Sequence, residues 1–373
     1  MTSIPEALSG RFGPVVERFR YEHRTRTNTP VQALEGVVLP GGELDLDSDR
    51  PTVRTCRLTL DQAGIDALAT PFDPASDHVA VFLELLVDST FTAFQIGLFR
   101  LDVVDRDDRP DGTLLSVEGA DVAIHLLEDW LTAPLTVAAG TNYVVAIRAQ
   151  LDAVGLSHTI PAVAAVLPAD RTWAPLENSR WDVVRELAFS INRFDPWARA
   201  DGTIITRERI DPSSEAADVA YSTETEPKLL VPGTRRRENR SRFTNRLAVK
   251  IDHPARPAGF ELRVNNDPAS PISIASTGKT VTDEIVGGII LDLTTAGEIA
   301  AYELRDAAAR ALLREIETVA DPRRDAHEFY MLEITTIEAS TLWRAQSWTL
   351  PLAVGEPMRH TLGRAAPVTI TEP

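Results

Sequence analysis

From Arg20 to Glu118 the chain repeatedly alternates polar and apolar residues with a period of two, and that pattern restricts its first third to β structure. The runs Arg20–Asn28, Val31–Leu39, Thr52–Leu60 and Val79–Val87 carry it most clearly. Within the third run, Val53, Thr55, Arg57 and Thr59 share one face, and Arg54, Cys56, Leu58 and Leu60 share the other. Turn residues stand between the runs at Pro40-Gly41-Gly42, Asp49-Arg50-Pro51 and Pro71–Asp77. Two more strands, Phe91–Leu98 and Phe99–Asp105, lead into a polar loop at Arg106–Gly112 and a strand at Thr113–Glu118. Residues 1–120 therefore predict a β barrel or sandwich of about six strands.

From Asp121 the period lengthens. Val122, Leu126, Asp129 and Trp130 predict a short amphipathic helix over 121–132. Gly140-Thr141 precedes a second, 142–154, with Val144, Ile147, Leu151 and Val154 on one stripe and Gly155 at its end. Ala162–Leu167, between two prolines, predicts a short buried strand. Ser179 is placed to cap a helix over Trp181–Asn192, and Gly202–Arg207 predicts another strand. Residues 121–212 thus read as a small α/β domain.

Strand character returns at Tyr221–Val231 and Asn245–Ile251, with an Arg-rich loop, 234–242, between them. Ser270–Asp283 is polar and irregular. Thr295 and Glu298 form a capping-box pattern, and Ala301, Leu304, Ala308, Leu312, Ile316 and Val319 line one face of a predicted helix 296–319. Strands Glu328–Thr335 and Arg344–Leu352 complete a second β domain, 213–373. The predicted fold class is α+β, mainly β: two β-barrel domains around a small α/β domain, with the long helix attached to the second barrel.

The 373 residues suit two or three domains at ~100–200 residues each. One cysteine, Cys56, excludes an intrachain disulfide framework and a Cys-rich zinc site. No stretch approaches the ~18 apolar residues of a membrane helix, and Met1–Gly10 lacks a basic-then-apolar leader. The expectation is a soluble protein made in a reducing cytoplasm and not exported by a signal peptide. A formal charge of −17 argues against a general nucleic-acid binder, which needs a basic face. It leaves room for a surface past which DNA slides without sticking.

Catalytic motifs fail one by one. Gly278-Lys279-Thr280 resembles the end of a phosphate loop, but Ser273 stands where the first glycine is needed. His327-Glu328 begins a zincin-like string that continues to Met331, not to a second histidine. Ser157 lacks the closing glycine of a nucleophile elbow. Asp45, Asp47 and Asp49 alternate like calcium ligands, yet Arg50 and Cys56 occupy the positions that need Gly and Glu. Cys56 reads as a small buried residue, Arg106–Asp111 as a solvated loop, and the tryptophans as core or interface anchors. A carboxylate pair for glycoside hydrolysis need only meet in space and leaves no sequence signature. No catalytic, cofactor-binding or metal-binding residue is expected. The sharpest charge feature is Arg235, Arg236, Arg237, Arg240 and Arg242, read either as a solvated hairpin loop or as a contact with a neighbouring acidic subunit.

Taken in order, several segments resemble the hub, or tail-tip adaptor, proteins of phage tails and related contractile injection machines. Val53–Leu60 (VRTCRLTL), after Gly41-Gly42 and Asp47, is similar to the strand pair opening the first hub barrel. Ile96-Gly97-Leu98-Phe99 and Leu115–Asp121 (LSVEGAD) resemble its closing strands. Gly140-Thr141 before helix 142–154, and Trp181–Ala188 before Asp201-Gly202, resemble the middle domain. Asn245–Val249 (NRLAV), Ser270–Ser273 ahead of helix 296–319, and Leu350-Pro351-Leu352 before Met358 resemble the second barrel.

The resemblance implies a structural virion component at the tail tip, made in the host cytoplasm, without enzymatic activity or cofactor. It implies a homotrimer whose paired barrels mimic the six-fold ring of the tail tube and join it to a three-fold tip. The implied partners are the tail tube or distal tail protein ring and the tip or fibre proteins. DNA would touch the chain only in passing through the lumen, and no part would insert into a membrane. Because no hydrolase, peptidase or fibre segment follows Pro373, any such activity is expected on another chain. The competing readings are a tail-associated glycan-degrading enzyme and a carbohydrate-binding receptor protein.

Overall fold

The computed structural model describes residues 17–87, 89–110, 112–222, 235–238, 243–334, 338–365 and 367–373. The amino-terminal strands are β1 (Glu17–Arg24), β2 (Pro30–Ala33), β3 (Glu43–Asp47), β4 (Arg54–Asp61), β5 (His78–Val87), β6 (Thr90–Arg109) and β7 (Gly112–Asp121), with a one-turn helix α1 (Gln62–Asp66) after β4. The middle segment carries α2 (Ile124–Glu128), α3 (Tyr143–Ala153) and α4 (Arg180–Phe189) among short strands β8 (Leu135–Val137), β9 (His158–Thr159), β10 (Arg171–Trp173), β11 (Trp197–Ala198) and β12 (Ile204–Ile205). There follow β13 (Val219–Ser222), β14 (Arg235–Glu238), β15 (Arg246–Ile251), β16 (Gly259–Asn265), α5 (Ile274–Thr277) and β17 (Thr282–Gly287). Helix α6 (Leu293–Arg310) leads to β18 (Leu312–Thr318), β19 (Phe329–Ile334), β20 (Glu338–Pro351), β21 (Met358–Arg364) and β22 (Ile370–Thr371).

The protein is mainly β, as expected, but no closed barrel is found among the described residues. One thirteen-stranded sheet runs in the order β14-β18-β21-β20-β3-β4-β7-β6-β5-β1-β2, with β19 on β20 and β13 on β19. The two β modules meet at an antiparallel seam, where Ser347, Thr349 and Pro351 of β20 face Asp47, Asp45 and Glu43 of β3.

Each module wraps its own core. Leu44, Cys56, Leu58, Val117, Phe99 and Val81 form one buried cluster, and Tyr21 of the far strand β1 packs on it, so this run of strands curls around a common interior. Trp348 and Leu350, from beyond the seam, join the same cluster. Tyr221, Ile316, Tyr330, Trp343 and Leu362 form the core of the second module. A separate four-stranded sheet, β17-β15-β16-β22, packs Leu247, Val249 and Ile251 against Ile299, Ala300 and Leu304 of α6.

Several expectations need correction. The predicted helix 296–319 is α6 followed by strand β18. Asp292, not Thr295, accepts from the Thr295 amide as the N-cap, and the helix stops at Arg310. Leu312 and Ile316 are buried in both readings because a spacing of four is also twice two. In β18 they alternate with half-buried neighbours and pair with β21. The expected loop Arg106–Gly112 is mostly strand: β6 runs unbroken for 20 residues, about 66 Å of chain, and pairs with β7 down to Arg109 opposite Gly112. Ala162–Leu167 forms no strand; Val166 makes an isolated bridge to Asn142 and is 44% exposed. The helix expected over 121–132 shrinks to α2.

The middle helices stand as expected. Asn142 caps α3, while Ser179 and Asp182 form a reciprocal capping box on α4. Asp121, buried at the end of β7, accepts from the amides of Arg54 (2.8 Å) and Ala123 (2.9 Å) and so fixes the turn from the sheet into the middle segment.

Gly42 precedes β3 with φ of +92°, and a Cβ there would lie 2.2 Å from the carbonyl oxygen of Arg57. Both partners are backbone, so neither yields. Gly42→Ala should cost about 2–4 kcal/mol, read as a lower urea midpoint. An unchanged midpoint would show that this turn relaxes freely.

Candidate functional site

The described residues bring chemistry together at one place, where β20, α6 and the segments 48–54, 194–197 and 321–328 converge. Arg344 enters from the bulged part of β20 and is buried. It donates through Nη1 to Asp306 and to the Tyr302 hydroxyl (2.7 Å), and through Nη2 to Nδ1 of His327 (3.1 Å). The His327 Nδ1 is therefore an acceptor, and the ring is neutral with its proton on Nε2. Burial, reinforced by Arg344, holds this imidazole well below its ordinary pKa. The ring stacks on Phe194 with centroids 4.1 Å apart, and its residue sits at φ of 58°.

Asp306 is shared. Arg310, one turn on in α6, reaches it at 2.6 Å and reaches Asp49 at 2.7 Å. Burial alone would raise the Asp306 pKa, but Arg344 and Arg310 together hold it below the ordinary carboxylate range. Glu303 faces Arg209 at 2.8 Å, and Asp195 faces Arg185 at 3.3 Å. Burial raises the pKa of Asp49, Asp195 and Glu303. Nearby, Arg54 is fully buried and spans modules, donating to the Ala198 carbonyl and to Asp325 (2.8 Å).

Asp49, Asp195, Glu303, Asp306, His327 and Arg344 line a cavity of ≈ 180 Å³. Acids in a cleft are what a glycosidase needs, with one carboxyl free to protonate and another free to attack or activate water. Here each of the four acids is tied to a guanidinium, and Asp49 and Asp306 share the same one. The volume is also below the ~300–1,000 Å³ of ordinary ligand pockets. The arrangement works as a rivet: charges from the middle segment, α6 and the seam neutralise one another where the modules meet.

A second junction joins β5 to α2. Nε2 of His78 and Nε2 of His125 lie 2.9 Å apart, so one ring donates and the other accepts. Burial lowers the pKa of both, that of His125 to about 4. Arg100 of β6 adds an ion pair to Glu128 of α2. The Tyr143 hydroxyl of α3 donates to the Ile289 carbonyl, attaching the middle segment to the second module.

The structure separates the other residues singled out in the sequence. Arg235, Arg236 and Arg237 do not lie in a loop: they form β14, an exposed edge strand paired with β18, with Arg237 3.0 Å from Glu315 and Arg236 3.3 Å from Glu238. The array of charges suits an edge, because charged side chains discourage indiscriminate strand pairing. Arg240 and Arg242 lie outside the described residues. Asp45 accepts from Thr349 at 2.6 Å across the seam, and Asp47 pairs with Arg50. Cys56 is buried and its thiol pKa is raised by burial. Gly278 is the left-handed residue that ends α5. Trp173, Trp181, Trp197, Trp343 and Trp348 are buried, whereas Trp130 is half-exposed. Among the described residues no group of three or more His, Cys, Asp or Glu side chains is arranged to hold a metal ion.

No protein-family model matches this sequence, and a sequence comparison with curated proteins finds no match. Its fold is nonetheless that of phage tail proteins. The tail protein from Neisseria meningitidis MC58 superposes with a TM-score of 0.61 at 11% identity, over 93% of this chain and 96% of that one. The 43 kDa tail protein of prophage MuSo2 from Shewanella oneidensis gives 0.62 at 10% identity, over 95% and 100%. A chain of the Francisella PdpA-VgrG complex gives 0.52 at 8% identity, over 98% of this chain and 60% of that one.

Proposed function

We propose that this chain is the hub of a phage tail tip, a structural virion component that joins the six-fold tail tube to the three-fold tip and forms part of the DNA conduit. One observation carries the reading: two β modules of one chain lie edge to edge through β3 and β20 and share a sheet, so three copies supply six similar units. The near-complete overlap with tail proteins supports it. The modules correspond to residues 1–120 and 213–373, each a tube-like barrel element in the assembled ring, with residues 121–212 packed outside them. The Arg235–Arg237 edge is a contact between copies. The remaining partners are the tail tube or distal tail ring on one side and tip or fibre proteins on the other.

Native mass measurement of the recombinant chain and electron microscopy of purified tails test this. A trimer, and a three-fold ring of this chain at the tail tip, are the expected results. A monomer at micromolar concentration together with absence from tail particles overturns the proposal.

A further inference from the structure

We infer that the open flank of β1, at residues 17–20, is the docking site for residues 7–10 of this same chain, which fold back as an added strand and seat Leu8 in an apolar slot of the first module. The inference goes beyond the hub reading and does not depend on it.

Strand pairing creates the flank. β1 pairs with β5 over its whole length, from Glu17 to Arg24, but β2 takes its other side only at residues 22–24. At Tyr21 the carbonyl accepts from the Leu34 amide (3.0 Å), which follows β2 and so lies on the side away from β5. Successive residues of a strand turn their N–H and C=O groups to alternate sides. Phe19 therefore turns both groups to the open side, as Tyr21 does, while Arg18 and Arg20 turn theirs to β5. Among the described residues no strand pairs with that open side at residues 17–20. Bare backbone of this kind is a template for any extended chain.

Beside the flank lies a slot of ≈ 530 Å³, lined by Phe19, Tyr21, Leu34, Val38, Leu352 and Val354. Leu34, Val38 and Leu352 belong to the core cluster of the first module, and Phe19 and Tyr21 pack on it, so the slot is a gap in the wall of that core. At its rim Val354 is 65% exposed. On the outer side Arg18 and Arg20 are both held by Glu84, at 2.5 and 2.8 Å. The Glu17 carboxylate accepts from the Gly355 amide at 2.6 Å, which fixes the start of β1 beside this rim. The slot fits an extended segment that points one apolar side chain inward and small or polar ones outward.

The sequence that runs into β1 has that pattern. Gly13-Pro14 is a turn pair. A two-residue turn there sets Phe12 opposite Val15, Gly10 opposite Glu17, Ser9 opposite Arg18, Leu8 opposite Phe19 and Ala7 opposite Arg20. Residues opposite one another share a face. Leu8 thus enters the slot with Phe19, and the small Ser9 and Ala7 lie outward beside the two arginines. Pro5, which has no N–H to donate, falls opposite Glu22, where Ala33 of β2 already holds the flank. The open stretch and the added strand end at the same place.

Amide hydrogen exchange on the full chain, resolved to single residues, tests this. The Phe19 amide should exchange at least about a hundred-fold more slowly in the native chain than in Leu8→Asp. The amides of Arg18 and Arg20, bonded to β5, should be equally protected in both, which reports that β1 keeps its place in the sheet. Leu8→Ile should behave as the native chain does. An unprotected Phe19 amide in the native chain, or protection that Leu8→Asp leaves intact, overturns the proposal. Protection that is lost on dilution also overturns it, because it assigns the flank to a second copy.

Discussion

Arg344→Ala should lower the unfolding free energy by about 3–5 kcal/mol, the cost of stranding a buried charge whose partner has been removed. The variant would leave Asp306, also buried, with only the partly exposed Arg310, and would take a donor from the Tyr302 hydroxyl and the His327 ring. For a chain of this size the thermal midpoint should fall by roughly 4–6 °C. Converting both members, Arg344→Met with Asp306→Leu, removes both charges at once and should recover much of the loss, since buried pairs are often no more stabilising than apolar residues of similar volume. Calorimetry of the two variants decides the matter. If the single variant melts within a degree or two of the native chain, Asp306 is solvated in practice and the rivet description is wrong.

His360→Gln should cost stability at neutral pH and progressively less as the solution is acidified. The ring is enclosed by Tyr330 and Tyr221, with Nε2 2.9 Å from the Thr318 hydroxyl. Because that hydroxyl also lies 3.0 Å from the Val319 carbonyl, it donates there and accepts from His360, which fixes a neutral Nε2–H tautomer. Burial, assisted by Arg324, pushes the pKa from the ordinary 6.5 down to about 3. The folded state therefore refuses a proton that the unfolded chain accepts. The contribution of this group is complete above pH 6.5 and declines as pH falls towards about 3, by up to ~1.4 kcal/mol per pH unit. Urea midpoints of both proteins at pH 7, 5 and 4 should converge from above. A gap that stays constant with pH would mean the ring is protonated, or solvated, in the native state.

Local chemistry was the legible part of the sequence. Ser179 and Gly155 marked helix ends because caps and left-handed residues act on their immediate neighbours. The alternation in Thr52–Leu60 put Arg54, Cys56, Leu58 and Leu60 on one face, and all four are buried. Where two periods coincide the reading failed: Leu312 and Ile316 fit a helix and a strand equally, and pairing with β21 decided in favour of the strand. Arg106–Gly112 reads as a loop because it is polar, yet β7 supplies the pairing of Arg106–Arg109 that composition does not reveal. The rivet was out of reach for another reason. Arg54, Phe194, Asp306, His327 and Arg344 come from separate elements, and nothing local marks any of them.

The seam joins positions near 45 and near 349, some three hundred residues apart along the chain. During synthesis the flank of β3 must wait, bare, until β20 has left the ribosome, and loop closure over so long a span is slow. An incomplete product would carry a bare β3 flank where the finished one has a paired seam.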